Sequence, residues 1–195
     1  ELRLGTSDTT ALYVLPTIVQ RFRRKQPRAR LHIVNRPTET IATLVGRGDL
    51  DLGIVTLPTG LAALEERVLF KQELVLVVPK AHALTKRSAI RLRDLMGEPL
   101  LLLEDVTRTG RLLRDYFAER DFAPNVVLDT SSFEVIKRYV AEGIGISFLP
   151  KETITPRDIG LAVLPFSGLP RVTIGAVWRK GAYRTRAAQA FMKLF

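Results

Sequence analysis

The run Ser131–Pro150, SSFEVIKRYVAEGIGISFLP, limits the fold more than any other segment, because a helix start, a glycine stop and a short apolar strand follow one another directly. Ser131 and Glu134 have the spacing of a capping box, in which a hydroxyl and a carboxylate each satisfy an orphan backbone donor. Phe133, Ile136 and Val140, extended by Ile144, recur at three or four residues as one apolar stripe, while Lys137, Arg138 and Glu142 fall on the other face. Gly143 supplies a left-handed stop. Ile144 to Leu149 is too short and apolar for another helix and ends at Pro150, so it reads as a strand buried on both faces of a parallel sheet. The same pattern occurs at Thr38–Val55, TETIATLVGRGDLDLGIV. There Thr38 is the cap, Ile41, Leu44 and Val45 the stripe, Gly46 and Gly48 the stop, and Leu50 to Val55 the strand. Two such units predict two similar lobes.

Alternation extends along the whole chain. Leu2 to Gly5 reads as a first strand, and Thr9 to Gln26 as a helix with Leu12, Leu15, Val19 and Phe22 on one face and a kink at Pro16. Ala29 to Asn35 is a second strand. Glu73 to Pro79, ELVLVVP, is a further strand, followed by a polar connection with a short helix around Leu92 to Met96. The order then restarts with strand Leu100–Leu103, helix Gly110–Arg120, strand Asn125–Asp129 and the opening run. Strands at Leu161–Leu164 and Arg171–Trp178 and a helix Tyr183–Phe195 complete the chain. Alternation at this spacing predicts an α/β fold, two Rossmann-like lobes with parallel sheets and helices on both faces. ELVLVVP and RVTIGAVW are the natural crossings between lobes. They divide the chain into a first lobe of residues 1–78 plus 176–195 and a second of 79–175, joined by a two-strand hinge.

Composition removes several function classes. The 195 residues are long enough to bury a core, and 46% hydrophobic with 26% charged residues is the balance of a globular protein. No apolar run approaches the roughly 20 residues that span a bilayer, and ELRLGTSD lacks the layout of a signal peptide. Without cysteine there is no disulfide framework, thiol nucleophile or thiolate metal site. The net charge of +10 favours anionic partners. Its densest patch, Arg21, Arg23, Arg24, Lys25, Arg28 and Arg30, falls at a helix end where cations complement the dipole, with no interleaved aromatics for base stacking. It therefore reads as a solvated face.

In open parallel sheets ligands bind beyond the carboxyl ends of the strands, and here those positions carry hydroxyls. Ser7, Thr9 and Thr10 follow the first strand, Thr38 the second and Thr56 the third. Thr107 and Thr109 follow the first strand of the second half, and Ser131 and Ser132 its second strand. Each hydroxyl taken alone is explained as a helix cap. Together with backbone donors and helix dipoles they are suited to hold an anion without a buried cation. Enzyme signatures are missing: GIGISF and GRGDLD lack the third glycine of a dinucleotide fingerprint, and there is no Walker loop or nucleophile elbow. His32 and His82 lie far apart, and Asp49 with Asp51 reads as a surface turn. No catalytic residue, metal or cofactor is expected.

Taken together, RLGTSDTTALYVLPTIVQRFRRKQPRARL, GRGDLDLGIVT, ELVLVVPKAHAL and VIKRYVAEGIGISFLP resemble the effector-binding domain of LysR-type transcriptional regulators over essentially the whole chain. The resemblance implies a fold like type II periplasmic binding proteins, with a small effector held between the lobes. It also implies a cytoplasmic regulator that works as a homodimer or homotetramer and engages DNA through an N-terminal winged helix-turn-helix that these residues do not include. In that arrangement the helix around Thr17–Gln26 faces the partner's helix around Gly110–Arg120. TGR at Thr109–Arg111 and VIKRYV at Val135–Val140 are similar to the sulfur-assimilation branch, which sets small anions against hydroxyls corresponding to Ser7, Thr9, Thr10, Thr56 and Thr109. Thr10 departs from that branch, which has an amide side chain there. Thr38 matches a position used elsewhere in the family for carboxylate effectors. A periplasmic solute-binding protein for a small anion is the alternative on the same architecture.

Overall fold

The computed structural model describes residues 1–195 and divides them into two units, Glu1–Lys71 with Thr173–Phe195, and Gln72–Val172. The chain thus passes between the units twice, at Lys71–Gln72 and at Val172–Thr173. The first of these passages lies just before ELVLVVP and the second falls inside RVTIGAVW. ELVLVVP pairs only within the second unit and RVTIGAVW only within the first, because each is buried along most of its length and hydrogen-bonded to strands of its own sheet.

In the first unit, strands β1 (Leu2–Thr6), β2 (Leu31–Asn35) and β3 (Leu52–Thr56) are parallel. The sheet continues through β10 (Val172–Arg179), antiparallel to β3, to β4 (Leu64–Gln72), giving the order β2-β1-β3-β10-β4. Strand β4, LEERVLFKQ, escapes sequence reading because it is an edge strand whose middle is largely exposed, with no sustained apolar alternation. The expected helix Thr9–Gln26 is two helices, α1 (Asp8–Tyr13) and α2 (Leu15–Lys25), divided at Val14. Pro16 lacks the N–H that would bond four residues back, so it is tolerated only in the first turn of a new helix. The division also changes the buried face: Leu15, Ile18 and Phe22 are buried, whereas Leu12 is exposed.

Helix α3 (Thr38–Arg47) begins one residue later than its sequence suggests. Pro37 is its cap and gives no side-chain hydrogen bond, so Thr38 is inside the helix. Gly46 is likewise internal, and Gly48 alone makes the stop, with φ of 85°. The C-terminal helix α6 (Arg186–Met192) belongs to this unit, its Phe191 ring meeting Phe22 of α2 edge-on at 5.3 Å.

Helix α3 lies against the sheet at two paired glycines, Gly5 and Gly53, which are neighbours across β1 and β3. A side chain on Gly5 would come within 2.6 Å of Ile41 and 2.7 Å of Leu50, and one on Gly53 within 2.7 Å of Val177. Gly5→Ala is therefore expected to destabilise by about 1–3 kcal/mol or more through overpacking, measured as a lower midpoint in urea unfolding. Gly60→Ala meets no neighbouring atom and acts only through its φ of 74°.

The second unit repeats this arrangement. Strands β6 (Pro99–Leu103) and β7 (Asn125–Thr130) are parallel, and Ile146 joins β6 through a parallel bridge to Leu100. Strand β8 (Ser147–Pro150) then pairs antiparallel with β5 (Leu74–Pro79), which pairs antiparallel with β9 (Leu161–Leu164). The Ile144–Leu149 segment is thus bridged in parallel on one side only. Its residues from Gly145 onward are buried, as the apolar run requires, but Ile144 is half exposed and outside the stripe.

Helix α4 (Arg108–Ala118) and helix α5 (Phe133–Ala141) cover this sheet, with Phe133, Ile136 and Val140 in a core shared with Val75, Val77, Leu101 and Leu149. Gly143, at φ of 80°, closes α5, its N–H bonding to Val140 and that of Ile144 to Tyr139.

One cation is buried in the second unit. Lys137 on α5 donates to the Thr153 carbonyl at 2.9 Å and pairs with Asp158 at 2.9 Å and Glu134 at 3.0 Å. Burial pushes the Asp158 carboxyl upward, but the bonds from Lys137 and from the Thr155 backbone and hydroxyl outweigh it and hold Asp158 below its ordinary value. A depressed carboxylate stabilises the fold above its unfolded pKa, and that stabilisation is lost as pH falls through the folded value. The stability gap between the protein and Asp158→Asn should therefore be constant near neutrality and close below about pH 4, as followed by denaturant midpoints across pH.

Candidate functional site

In the first unit the three parallel strands all end on one edge. Thr6 at the end of β1 is paired with Asn35 at the end of β2 and with Ile54 of β3, two residues before Thr56. The elements leaving this edge are α1, α3 and the loop after β3, which brings Ser7, Thr9, Thr10, Thr38 and Thr56 to the same side of the sheet.

Their environments differ in what is already bonded. Ser7 caps α1, accepting from the Thr10 N–H at 3.4 Å and donating to the Thr10 hydroxyl at 3.2 Å. Thr10 is almost fully buried, Thr9 and Thr56 are half-buried, and none of these three is a cap. Thr38 is buried inside the first turn of α3, so the cap explanation fails for it. Because Pro37 offers no side-chain acceptor, the first-turn N–H groups of α3 receive no side-chain cap, leaving the positive end of the helix directed at this edge.

Sequence reading missed Thr6 and Thr59. Thr6 donates to the Ile54 carbonyl at 2.9 Å and is consumed in joining β1 to β3. Thr59, in the loop after β3, is buried and bonded to Glu66 through both its N–H and its hydroxyl. No local pattern marks either residue, since both partners are tertiary.

The corresponding edge of the second unit lies beyond β6 and β7. Thr107 caps α4, accepting from the Gly110 N–H at 3.0 Å and donating to the Glu104 carbonyl at 2.8 Å. Thr109 follows in the first turn and is buried. Gly110 allows this turn to rest on the strand end, because a side chain there would come within 2.1 Å of the Glu104 carbonyl and 2.6 Å of the Leu103 carbonyl. Arg114, one turn on, bonds the Leu103 carbonyl and Asp129, tying α4 to the ends of β6 and β7.

The cap of α5 is Ser132 rather than Ser131: its Oγ accepts from the Val135 N–H at 3.4 Å, while Ser131 is exposed. The Ser131–Glu134 capping box does not form. Glu134 is drawn instead to the buried ammonium of Lys137, a demand visible only once α5 is packed. Two hydroxyls of this edge, Thr107 and Ser132, are thus engaged as caps, and Thr109 is free of that role.

The other candidates resolve into structural tasks. Asp51 accepts from the Arg3 backbone at 2.7 Å and pairs with its guanidinium at 3.0 Å. His82 accepts from the Leu84 N–H at 3.2 Å as the cap of a short 3₁₀ turn. No helix is long and apolar enough to cross a membrane.

The cap register has a direct check. Ser132→Ala should cost about 1 kcal/mol and Ser131→Ala close to nothing, read from thermal unfolding of the two variants.

The LysR substrate binding domain family matches residues 1–195. The HTH-type transcriptional regulator CysB of Burkholderia cenocepacia is 30% identical over 93% of this chain and 59% of its own length. The DNA-binding transcriptional dual regulator OxyR of Escherichia coli K12 is 32% identical over 93% of this chain and 60% of its own. The chain therefore spans about three fifths of these relatives. Among solved structures, the cofactor-binding domain of the Cbl transcriptional regulator superposes with a TM-score of 0.93 at 27% identity, covering 99% of this chain and 86% of that one. The effector-binding domain of QuiR in complex with shikimate shares the fold at a TM-score of 0.88 and 24% identity, over 99% and 93% of the two chains.

Proposed function

This chain belongs to the LysR substrate-binding family and is an effector-binding domain, and from that premise we propose that it senses a small anion through the carboxyl-edge hydroxyls. The residues proposed are Ser7, Thr9, Thr10, Thr38 and Thr56 of the first unit and Thr107, Thr109, Ser131 and Ser132 of the second. The observation that carries the reading is Thr38: a buried hydroxyl in the first turn of a ten-residue helix whose cap, Pro37, supplies no side-chain acceptor. First-turn N–H groups and a hydroxyl bind an anion by hydrogen bonds and the helix dipole, with no counter-charge required. Thr109, buried at the second position of α4, is its counterpart. The same fold holds shikimate, a carboxylate, in QuiR.

Within the family we propose the sulfur-assimilation branch, on TGR at Thr109–Arg111 and on VIKRYV at Val135–Val140. Only the first motif bears on ligand. In the second, Lys137 is buried in an ion-pair cluster and acts in packing. The relatives also include OxyR, named elsewhere a hydrogen peroxide-inducible genes activator. These 195 residues hold no cysteine, so thiol oxidation within them is ruled out.

Binding alters transcription only where the effector has unequal affinity for two arrangements of the protein. In the proposed cytoplasmic regulator those arrangements are of a homodimer or homotetramer. It pairs α2 of one protomer with the partner's α4 and engages DNA through a further domain. No reaction is assigned to the chain. A solute-binding role on the same architecture is disfavoured by the regulator relatives.

Thermal unfolding with sulfate, a sulfonate, an acetylated amino acid and an aromatic carboxylate tests the site. A ligand at 100 times its dissociation constant adds about 2.7 kcal/mol and raises the midpoint. Thr9→Ala combined with Thr109→Ala is expected to remove that rise while leaving the unliganded midpoint nearly unchanged. An undiminished rise in the double variant would place the ligand elsewhere.

A further inference from the structure

The opposite, amino edge of the first unit's sheet carries a pocket that the proposed effector site does not use. It lies where β1 begins, where the chain enters β3 and where antiparallel β10 ends, a cavity of about 130 Å³ that opens to solvent. Val45, Leu50, Ala188 and the buried Trp178 make an apolar floor. Around it stand the guanidinium groups of Arg3, Arg179 and Arg184.

The charges are unevenly matched. Asp51 is the one carboxylate in the pocket wall, and Arg3 already holds it at 3.0 Å while also donating to the Gly48 carbonyl at 2.9 Å. Arg184 stacks on the Trp178 ring, 4.7 Å from its centroid, which orders that guanidinium without neutralising it. The exposed Arg179 leans toward Gly48, where a side chain would lie 3.5 Å from its Nη1. A cation over the carboxyl end of α3 complements the helix dipole, and Arg3 serves that role with its bond to Gly48. That leaves Arg179 and Arg184 as positive charge beside an apolar floor.

We propose that this amino-edge pocket is a second small-molecule site, one that takes a carboxylate carrying an apolar or aromatic body. The planar guanidinium fork matches a carboxylate's two oxygens, and the body of the ligand covers Trp178, Val45 and Leu50. The site stands apart from the carboxyl-edge hydroxyls, so its occupancy does not depend on them.

Trp178 is the only tryptophan, so its indole N–H gives a single cross-peak in a ¹H–¹⁵N spectrum, reporting from the pocket floor. We expect phenylacetate to move that peak saturably and the neutral isostere phenylacetamide to leave it in place. Arg179→Ala, a change at an exposed side chain, is expected to weaken the apparent affinity about tenfold, the loss of one charge-assisted contact. Thr9→Ala with Thr109→Ala should leave the titration unaltered. A peak that stays still in millimolar phenylacetate, moves equally with the amide, or titrates identically in Arg179→Ala would overturn the proposal. So would loss of the response in the Thr9/Thr109 double variant, which would assign the signal to the carboxyl-edge hydroxyls.

Discussion

The seating of Ile41 over Gly5 and Gly53 is the contact on which the first unit's organisation depends. The two glycines face each other across β1 and β3, and together they leave a slot that the Ile41 side chain enters. Interiors are packed tightly enough that one added methyl group must displace something. Helix α3 can therefore approach the sheet this closely only where both strands lack side chains. The approach sets where α3 begins, which puts Thr38 and the uncapped first turn at the sheet edge. The second unit reaches the same end with different residues: Gly110 lets α4 rest on the Leu103 and Glu104 carbonyls, and Arg114 fastens it to β6 and β7.

Both edges consequently gather hydroxyls and helix N-termini, but the hydroxyls are not equivalent. Ser7, Thr107 and Ser132 are occupied as caps, and Thr6 as a tie between strands. Thr9, Thr10, Thr38, Thr56 and Thr109 have no such structural employment as caps. A sequence shows nine hydroxyls of similar standing. The fold sorts them, because a cap is defined by which N–H the oxygen faces, and that depends on where each helix starts to the residue. A shift of one position separates Ser131 from Ser132 and moves Thr38 from the end of a helix to its interior.

Electrostatics divides in the same way between surface and interior. The arginines at the end of α2 are exposed, and Arg23 bonds back to the Ala29 carbonyl, so this patch is solvated and completes a helix end. Lys137 carries a single charge but is buried with Asp158, and a buried charge without a partner is far more costly than a surface one. The lysine that looks like part of a polar helix face is a structural tie between α5 and the segment through Asp158.

Sequence alone determined the alternation of strands and helices, the duplication into two units, the glycine stops at Gly48 and Gly143, and the family resemblance across the chain. These follow from local chemistry: hydrophobic period, turn residues and the φ that only glycine adopts easily. Tertiary structure alone decided the antiparallel strands. Strand β10 enters the first sheet from a distant part of the chain, β5 does so in the second, and β4 is an exposed edge with no periodic mark. It also decided which serine caps α5, because Glu134 answers to Lys137 and not to the backbone beside it. Pairing partners and buried charges are set by residues far away in sequence, and no local pattern carries that information.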